Sequence, residues 1–450
     1  MSTPLTDALR RHLALNRAPF HTPGHKGHMP DVWGLDLTEL PDTDSLFEAD
    51  GPILQAEEQA ARLFHAQRTL FSAGGCTLCL QAMLRLALPQ GGKILAGRVI
   101  HRSTVNAMAL LDIVPVWLYP EQDAGIGLPG RISPHKVEKA LTEQPDIKAV
   151  YLTSPDYFGV CSDIGAICRV AHAHGVPVLV DNAHGTHLGL LQGVMDGVDH
   201  PLALGADLTA CSAHKTLPVL TGGAFLNIGD TPLAKRDRYS ERAKEAMALF
   251  GSTSPNYMTM ASLEQAADWV QREGKSAFQK LVKRMEPLWD QCNQKHLPLP
   301  LGPRDKSRLS FCTLPAGLTG EQAAQRLRHE GVEPEYADGG WVVCILTPQN
   351  TEEDLEKLYR AISLLPDGDP GFTGQKAVLP PLPPAPLSPR QAILQESERV
   401  PLEKAVGRIA AVAACPCPPG VPVVMPGERI TKKVTEFLYS YGFSFIEVLQ

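Results

Sequence analysis

The chain has no long apolar run. Nowhere in its 450 residues do ~18 consecutive apolar side chains occur, so no membrane span is expected. The first thirty residues lack a basic start followed by an apolar stretch, which argues against a signal peptide. Positive charge is not in excess: 42 Lys and Arg stand against 49 Asp and Glu, a net charge of −7. A nucleic-acid partner needs a basic footprint to displace counterions and is not expected, although one local anion pocket remains compatible with this balance. Paired metal-ligand motifs are also missing. Cys76 and Cys79 form a lone C-x-x-C, and Cys415 and Cys417 a lone C-x-C. A structural zinc site uses four ligands, and scattered cysteines in a long chain read as reduced, unligated thiols of a cytoplasmic protein. His184 and His187 lie three apart without an evident third ligand, so no metal is expected. No G-x-G-x-x-G joins a strand directly to a helix, and no G-x-x-x-x-G-K-[ST] occurs, so dinucleotide and nucleoside-triphosphate sites lack support.

What is present is a folded composition, 44% apolar and 20% charged, long enough for two or three domains. Residues 1–50, rich in His, Pro, Gly and Asp, read as an arm. Over 51–295, strands and helices alternate. Helices are predicted at 53–66, 79–88, 103–112, 135–144 and 164–175, the last stopped by Gly175. Strands are predicted at 69–74, 93–97, 114–120 and 147–155, within 176–185 and 207–215, and at 222–228. A long helical tract follows at 257–295. This pattern predicts an α/β fold with a mostly parallel sheet. Residues 296–365 read as a smaller α+β domain, whose last helix starts at a capping box of Thr351 and Asp354. The Pro-rich 366–389 reads as an extended connector, and 390–450 as a further folded segment.

Functional groups on a parallel sheet belong at the C-terminal strand ends. Two polar clusters sit there. Asp181-Asn182-Ala183-His184-Gly185 follows the apolar Val176–Val180, and Ser212-Ala213-His214-Lys215-Thr216 ends the next strand. A strand-end lysine that condenses with an aldehyde, beside a strand-end acid that keeps a pyridine nitrogen protonated, is the pairing pyridoxal-phosphate chemistry requires. Ser72-Ala73-Gly74-Gly75-Cys76-Thr77, between a strand and a helix, supplies the glycines and helix start that cradle a phosphate.

With HTPGHKGH (21–28), IHRS (100–103), YLTSPDYFGV (151–160), VDNAHGTH (180–187), SAHKTLPVLTGGAFL (212–226), STSPNYMTMASLE (252–264) and PPGVPVVMPGERI (418–430), the chain resembles the ornithine/lysine/arginine decarboxylases of the aspartate-aminotransferase fold, fold type I of the pyridoxal-phosphate enzymes, in their short form. The resemblance implies that Lys215 holds the cofactor aldehyde and that Asp181 pairs with the ring nitrogen. His101 would stack on the ring face, and His184 would sit near its phenolic oxygen or the substrate carboxylate. Gly75, Cys76 and Thr77 would take the phosphate from one side, and Ser212 and His214 from the other. Ser252 and Thr253 would reach the phosphate of a neighbouring subunit, implying a homodimer or higher homo-oligomer with the 1–50 arm, including His21, His25 and His28, at its interface. Glu428 would meet the distal cationic end of the substrate. The family's loop commonly reads N-G-[ST]-[ST]. Here Cys76 replaces a hydroxyl, which predicts weaker cofactor retention.

The implied reaction is decarboxylation of arginine, lysine or ornithine to the corresponding amine. Two alternatives stand beside it. One is transamination on the same fold, with Arg408 as the grip on the α-carboxylate; the other is a non-catalytic homologue serving as an interaction module.

Overall fold

The computed structural model describes residues 15–20, 44–121, 127–195, 197–373, 378–416 and 420–450. The HTPGHKGH motif with His21, His25 and His28 lies outside the described residues, as does Cys417. In chain order the strands are β1 (Ala18–Phe20), β2 (Arg68–Ser72), β3 (Gly92–Gly97), β4 (Ile113–Leu118), β5 (Ile147–Thr153), β6 (Val178–Asp181), β7 (Leu208–Cys211), β8 (Ala224–Ile228), β9 (Arg308–Cys312), β10 (Val332–Pro334), β11 (Tyr336–Ala337), β12 (Trp341–Ile345), β13 (Ser397–Pro401) and β14 (Phe445–Leu449).

Seven of them form the main sheet in the order β2-β8-β7-β6-β5-β3-β4. Only β8 runs against the rest, pairing antiparallel with both β2 and β7. The central strands read IKAVYLT, VLVD and LTAC and are buried almost throughout. Covered on both faces, they carry apolar runs rather than alternation. Their parallel register brings Thr153 level with Asp181, and Asp181 level with Ala210. The C-terminal ends of β5, β6 and β7 therefore open onto one crevice.

The helices largely follow the sequence pattern. The expected stop at Gly175 is present: helix Ile164–Ala173 begins with Asp163 accepting the Ala166 N–H at 2.9 Å and ends before Gly175 at φ +71°. The Thr351–Asp354 capping box is made in both directions. The 257–295 tract is helical as expected, but five residues, Val270–Gly274, form a π turn between helices Tyr257–Trp269 and Lys275–Gln294. One start differs. The helix expected from Cys79 spans Gly75–Ala87. Gly75 takes φ +71°, and its N–H donates to the Gly222 carbonyl at 2.8 Å. A side-chain-bearing residue adopts that backbone only with strain, so the glycine turn runs straight into the first helical turn.

β9, β11 and β12 form a second, antiparallel sheet. Its apolar side chains, among them Leu309, Phe311 and Val342, join one core with Leu358 of the helix Glu352–Ser363 and with Phe71, Phe225, Leu263 and Phe278 of the main body. The described piece of the arm, β1, runs parallel to β10 of the same chain, and Arg17 pairs with Glu333 at 2.6 Å. Residues 400–448 keep an apolar core of their own, built on Val400, Val424, Ile430, Leu438 and Val448. No helix among the described residues is long and apolar enough to cross a membrane.

Candidate active site

The crevice at the strand ends holds a cavity of ≈ 370 Å³. Its walls include Asp181, His184, Lys215, His101, Thr153 and Tyr157. The sequence-predicted Gly75, Cys76, Thr77, Ser212 and His214 also line it. Each position has a local cause. Asp181 is the last residue of β6, and His184 lies in the turn just beyond. Lys215 sits in the single helical turn Ala213–Thr216 that follows β7. His101 caps helix Arg102–Leu110, its ring accepting the Ser103 N–H at 3.3 Å and meeting Ser103 Oγ at 2.7 Å. Gly75 to Thr77 are the first turn of their helix, where amide groups have no intrahelical acceptor and the dipole favours an anion. Gly75 spends its N–H on Gly222, leaving the next amides for a ligand.

Lys215 Nζ lies 3.0 Å from His184 Nε2. Burial presses the Lys215 amine below the usual lysine range, against the pull of Asp181. Burial and then the charge of Lys215 hold His184 well below the ordinary imidazole range, so it is neutral and serves as the amine's hydrogen-bond partner. Burial pushes the Asp181 carboxyl up, while Lys215, His101 and two hydrogen bonds pull it down. Those bonds come from the Ala183 N–H to Oδ1 and the Tyr151 hydroxyl to Oδ2, each at 3.1 Å. Tyr151, a polar tip in an aliphatic strand, also meets Thr104 Oγ1 at 2.9 Å. Cys76 is a buried thiol pushed well up by burial, hence neutral.

Two cavity-wall polar atoms, Thr153 Oγ1 and His184 Nδ1, are buried without a hydrogen-bond partner. An acid-ended strand, a buried amine, open helix-start amides and orphaned polar atoms around one cavity suit a group with a basic ring nitrogen, an aldehyde and a phosphate. The donor set fits pyridoxal phosphate.

The Orn/Lys/Arg decarboxylase major domain matches residues 3–298, and the C-terminal domain of the same family matches 375–444. The chain belongs to the Orn/Lys/Arg decarboxylase family. The family is pyridoxal-phosphate-dependent, and this chain is a basic amino-acid decarboxylase of it. It is 30% identical to the arginine decarboxylase of Bacillus subtilis over 97% of this chain and 93% of that protein. The constitutive lysine decarboxylase of Escherichia coli is 25% identical over 97% of this chain and 77% of its own length. The solved structure of that enzyme superposes with a TM-score of 0.74, covering 100% of this chain and 82% of the other. An alanine–glyoxylate aminotransferase from Nostoc sp. shares the fold at a TM-score of 0.54, over 69% of this chain and 86% of its own.

Two residues, Glu428 and Arg408, stand elsewhere in this decarboxylase than expected. Glu428 does not line the cavity. It is 1% exposed, and both its oxygens are taken by Arg98 at 2.7 and 2.6 Å. Arg408 is not a carboxylate grip, because its guanidinium is committed to Glu398 at 2.7 Å and the Leu449 carbonyl at 2.5 Å, at the β13–β14 end of the C-terminal unit. Ser252 and Thr253 are exposed and absent from the cavity wall of their own chain. His187 is a structural histidine, 3.1 Å from Asp305 and 2.7 Å from Ser307 Oγ, stacked on Phe278. Among the described residues no cluster of His, Cys, Asp or Glu is placed to hold a metal.

The structure adds residues that sequence reasoning missed. Thr153 and Tyr157 stood inside a quoted motif without a role. Gly420, from the C-terminal segment, reaches the cavity wall. Arg308 of β9 is 3% exposed, donates to the Tyr157 carbonyl at 2.7 Å, and sends its charge toward Lys215 and His184. Tyr157 packs edge-on against His184 at 5.2 Å and donates its hydroxyl to Glu335 at 3.2 Å.

Proposed function

We propose that this decarboxylase acts on arginine, releasing CO₂ and agmatine, with Lys215, Asp181, His184 and His101 around pyridoxal phosphate. The observation that carries the reading is the amine of Lys215, 3.0 Å from a neutral imidazole and in one cavity with a buried strand-end acid. Arginine is favoured over lysine because the full-length likeness is to an arginine decarboxylase at 30%, against 25% for a lysine decarboxylase. When bound, pyridoxal phosphate supplies a cationic ring that accepts the electron pair left on Cα as CO₂ departs. Asp181 holds the proton on the ring nitrogen. The Gly75–Thr77 turn, Ser212 and His214 hold the phosphate. Cys76, a neutral thiol, is a weaker donor to phosphate than the hydroxyl it replaces, so the amides carry most of that grip.

Lys215, its charge disfavoured by burial, is able both to attack an aldehyde and to hand a proton to Cα. His184 keeps that amine oriented. Leu80, Val99, Ile100 and Ala183 make the remaining wall apolar. Such a wall favours loss of a carboxylate whose charge disperses as it leaves.

The distal guanidinium of the substrate needs a carboxylate. Asp181 and Glu335 are the carboxylates whose charge raises the Lys215 amine. Asp181 serves the ring, and Glu428 is saturated by Arg98. Glu335, joined to the cavity wall through the Tyr157 hydroxyl, takes the distal role in this reading. A charge-assisted hydrogen bond of this kind is worth about 1.5–3 kcal/mol, or roughly 10- to 100-fold. Glu335→Gln is expected to raise KM for arginine by about that factor while kcat changes only a few-fold. Steady-state assays on the variant would show it, and an unchanged KM removes Glu335 from the role.

The chain divides in this reading into an arm (1–50), a cofactor-binding domain (51–295), a small domain (296–365), a connector (366–389) and a C-terminal segment (390–450). The exposed Ser252–Thr253 turn is assigned to a neighbouring subunit's phosphate in a homodimer. Among the described residues no two cysteines are joined by a disulfide, which suits a reducing cytoplasm. The decisive assay supplies arginine, lysine and ornithine to the purified, cofactor-loaded protein and measures CO₂ and amine. Arginine should turn over fastest. Preferential lysine or ornithine turnover overturns the substrate, and oxo-acid release without CO₂ overturns the reaction.

A further inference from the structure

Arg98 follows directly on the end of β3 and precedes Val99, Ile100 and His101 of the cavity wall. Its side chain is wholly buried, at 0% exposure, a rare state for arginine. All three nitrogens of the planar fork donate to the C-terminal segment. Nη1 and Nη2 donate to the two oxygens of Glu428, at 2.7 and 2.6 Å, and Nε donates to the Pro422 carbonyl at 2.6 Å. The guanidinium lies over the rings of Trp117 and Tyr119, with centroids at 5.7 and 5.3 Å. Glu428 also accepts the Met425 N–H at 2.8 Å, which closes the turn that carries it. Gly427 in that turn has φ +89°, and a Cβ there would sit 2.3 Å from the Leu387 carbonyl oxygen. A few residues upstream of Pro422, Gly420 stands on the cavity wall.

A buried ion pair is a poor device for stability alone. Desolvation of both charges offsets most of their attraction, and apolar replacements of similar volume often fold as well. What a two-pronged fork does fix is register. Here it joins residues 330 positions apart, and each partner is a short chain step from a different side of one cavity.

We propose that Arg98 and Glu428 are positioning residues: their fork sets the Gly420 side of the cavity against the His101 side, so that the C-terminal segment completes the active site rather than merely attaching to it. The proposal uses the cavity identified above as the cofactor site but does not depend on which amino acid is the substrate.

The test compares Glu428→Gln, Arg98→Lys and the apolar double variant Arg98→Met with Glu428→Met. Three quantities are read: the half-saturation of the apo-protein by pyridoxal phosphate, followed by absorbance; KM and kcat on the basic amino acid the wild type prefers; and the melting temperature. Small displacements at an active site cost up to about 100-fold in rate. Glu428→Gln and Arg98→Lys should each raise the cofactor half-saturation and KM about tenfold. The double variant should melt close to the wild type yet keep both constants raised. A purely structural pair would alter only the melting temperature and the active fraction. Recovery of both constants in the folded double variant overturns the proposal, as do wild-type constants in Glu428→Gln. The cofactor titration needs no turnover. A wild type that binds the cofactor but releases no CO₂ from any basic amino acid therefore defeats the functional reading separately.

Discussion

Lys215→Ala is expected to abolish decarboxylation, by on the order of 10⁴-fold or more, the scale seen when a covalent catalytic group is removed. The purified variant should also lack the yellow absorbance of a cofactor joined to the protein. The lost group is the amine beside His184 Nε2. His184 cannot substitute, since a neutral imidazole forms no stable linkage with an aldehyde. Unfolding would not account for the loss. The amine is buried, and its charged form is disfavoured there. Removing it relieves a desolvation cost, so the apo variant should melt at or above the wild-type temperature. Turnover assays, absorbance spectra and melting curves on the same preparation check all three points. Retention of full turnover would remove Lys215 from the mechanism.

Asp181→Asn is expected to lower kcat by about 10²–10³-fold, the range for deleting one preorganised electrostatic group. The amide can be accommodated. Its oxygen can still accept the Ala183 N–H, and the Tyr151 hydroxyl, already in contact with Thr104 Oγ1, can turn its proton toward that oxygen. The lost element is the charge that keeps a ring nitrogen protonated. The substitution also has a pH signature in the apo-protein. Burial raises the Asp181 carboxyl, so the folded chain holds this proton more tightly than the unfolded one. The corresponding stability is present below the unfolded carboxyl value of about 4 and is lost as pH rises through the raised folded value. Across that range the urea midpoint of the wild type should fall with pH relative to that of Asp181→Asn. Equal slopes would mean that Asp181 is not held protonated by its surroundings.

Much of this architecture is written in local pattern. The central strands are apolar on both faces because helices cover both, so VLVD and LTAC announce a parallel sheet, and their polar ends announce the site. The Asp181–Lys215 pair was legible for the same reason: Asp181 ends β6 and Lys215 stands in the short turn after β7. The helix start at Gly75 was not, because a Gly-Gly pair reads as a loop until Gly222 is seen accepting the Gly75 N–H. Motif residues revealed their type but not their partner. The resemblance made Glu428 a substrate acid, whereas its cation, Arg98, lies 330 positions away in sequence. Arg408 misled in the same way, its carboxylate lying ten residues upstream at Glu398. Glu335 belongs to none of the motifs and stands two residues from Glu333. Only the fold shows that Glu333 is taken up by Arg17 and Arg328 while Glu335 reaches Tyr157.

The interior of this molecule is divided unequally. Side chains of β9 and β12 and of the helix at Glu352–Ser363 merge with those of the central body, so this part has no greasy surface of its own to shed and cannot rock as an independent lobe. The last fifty residues close around a separate nucleus. The fork of Arg98 and Glu428 is then a buried tie between two separately packed bodies.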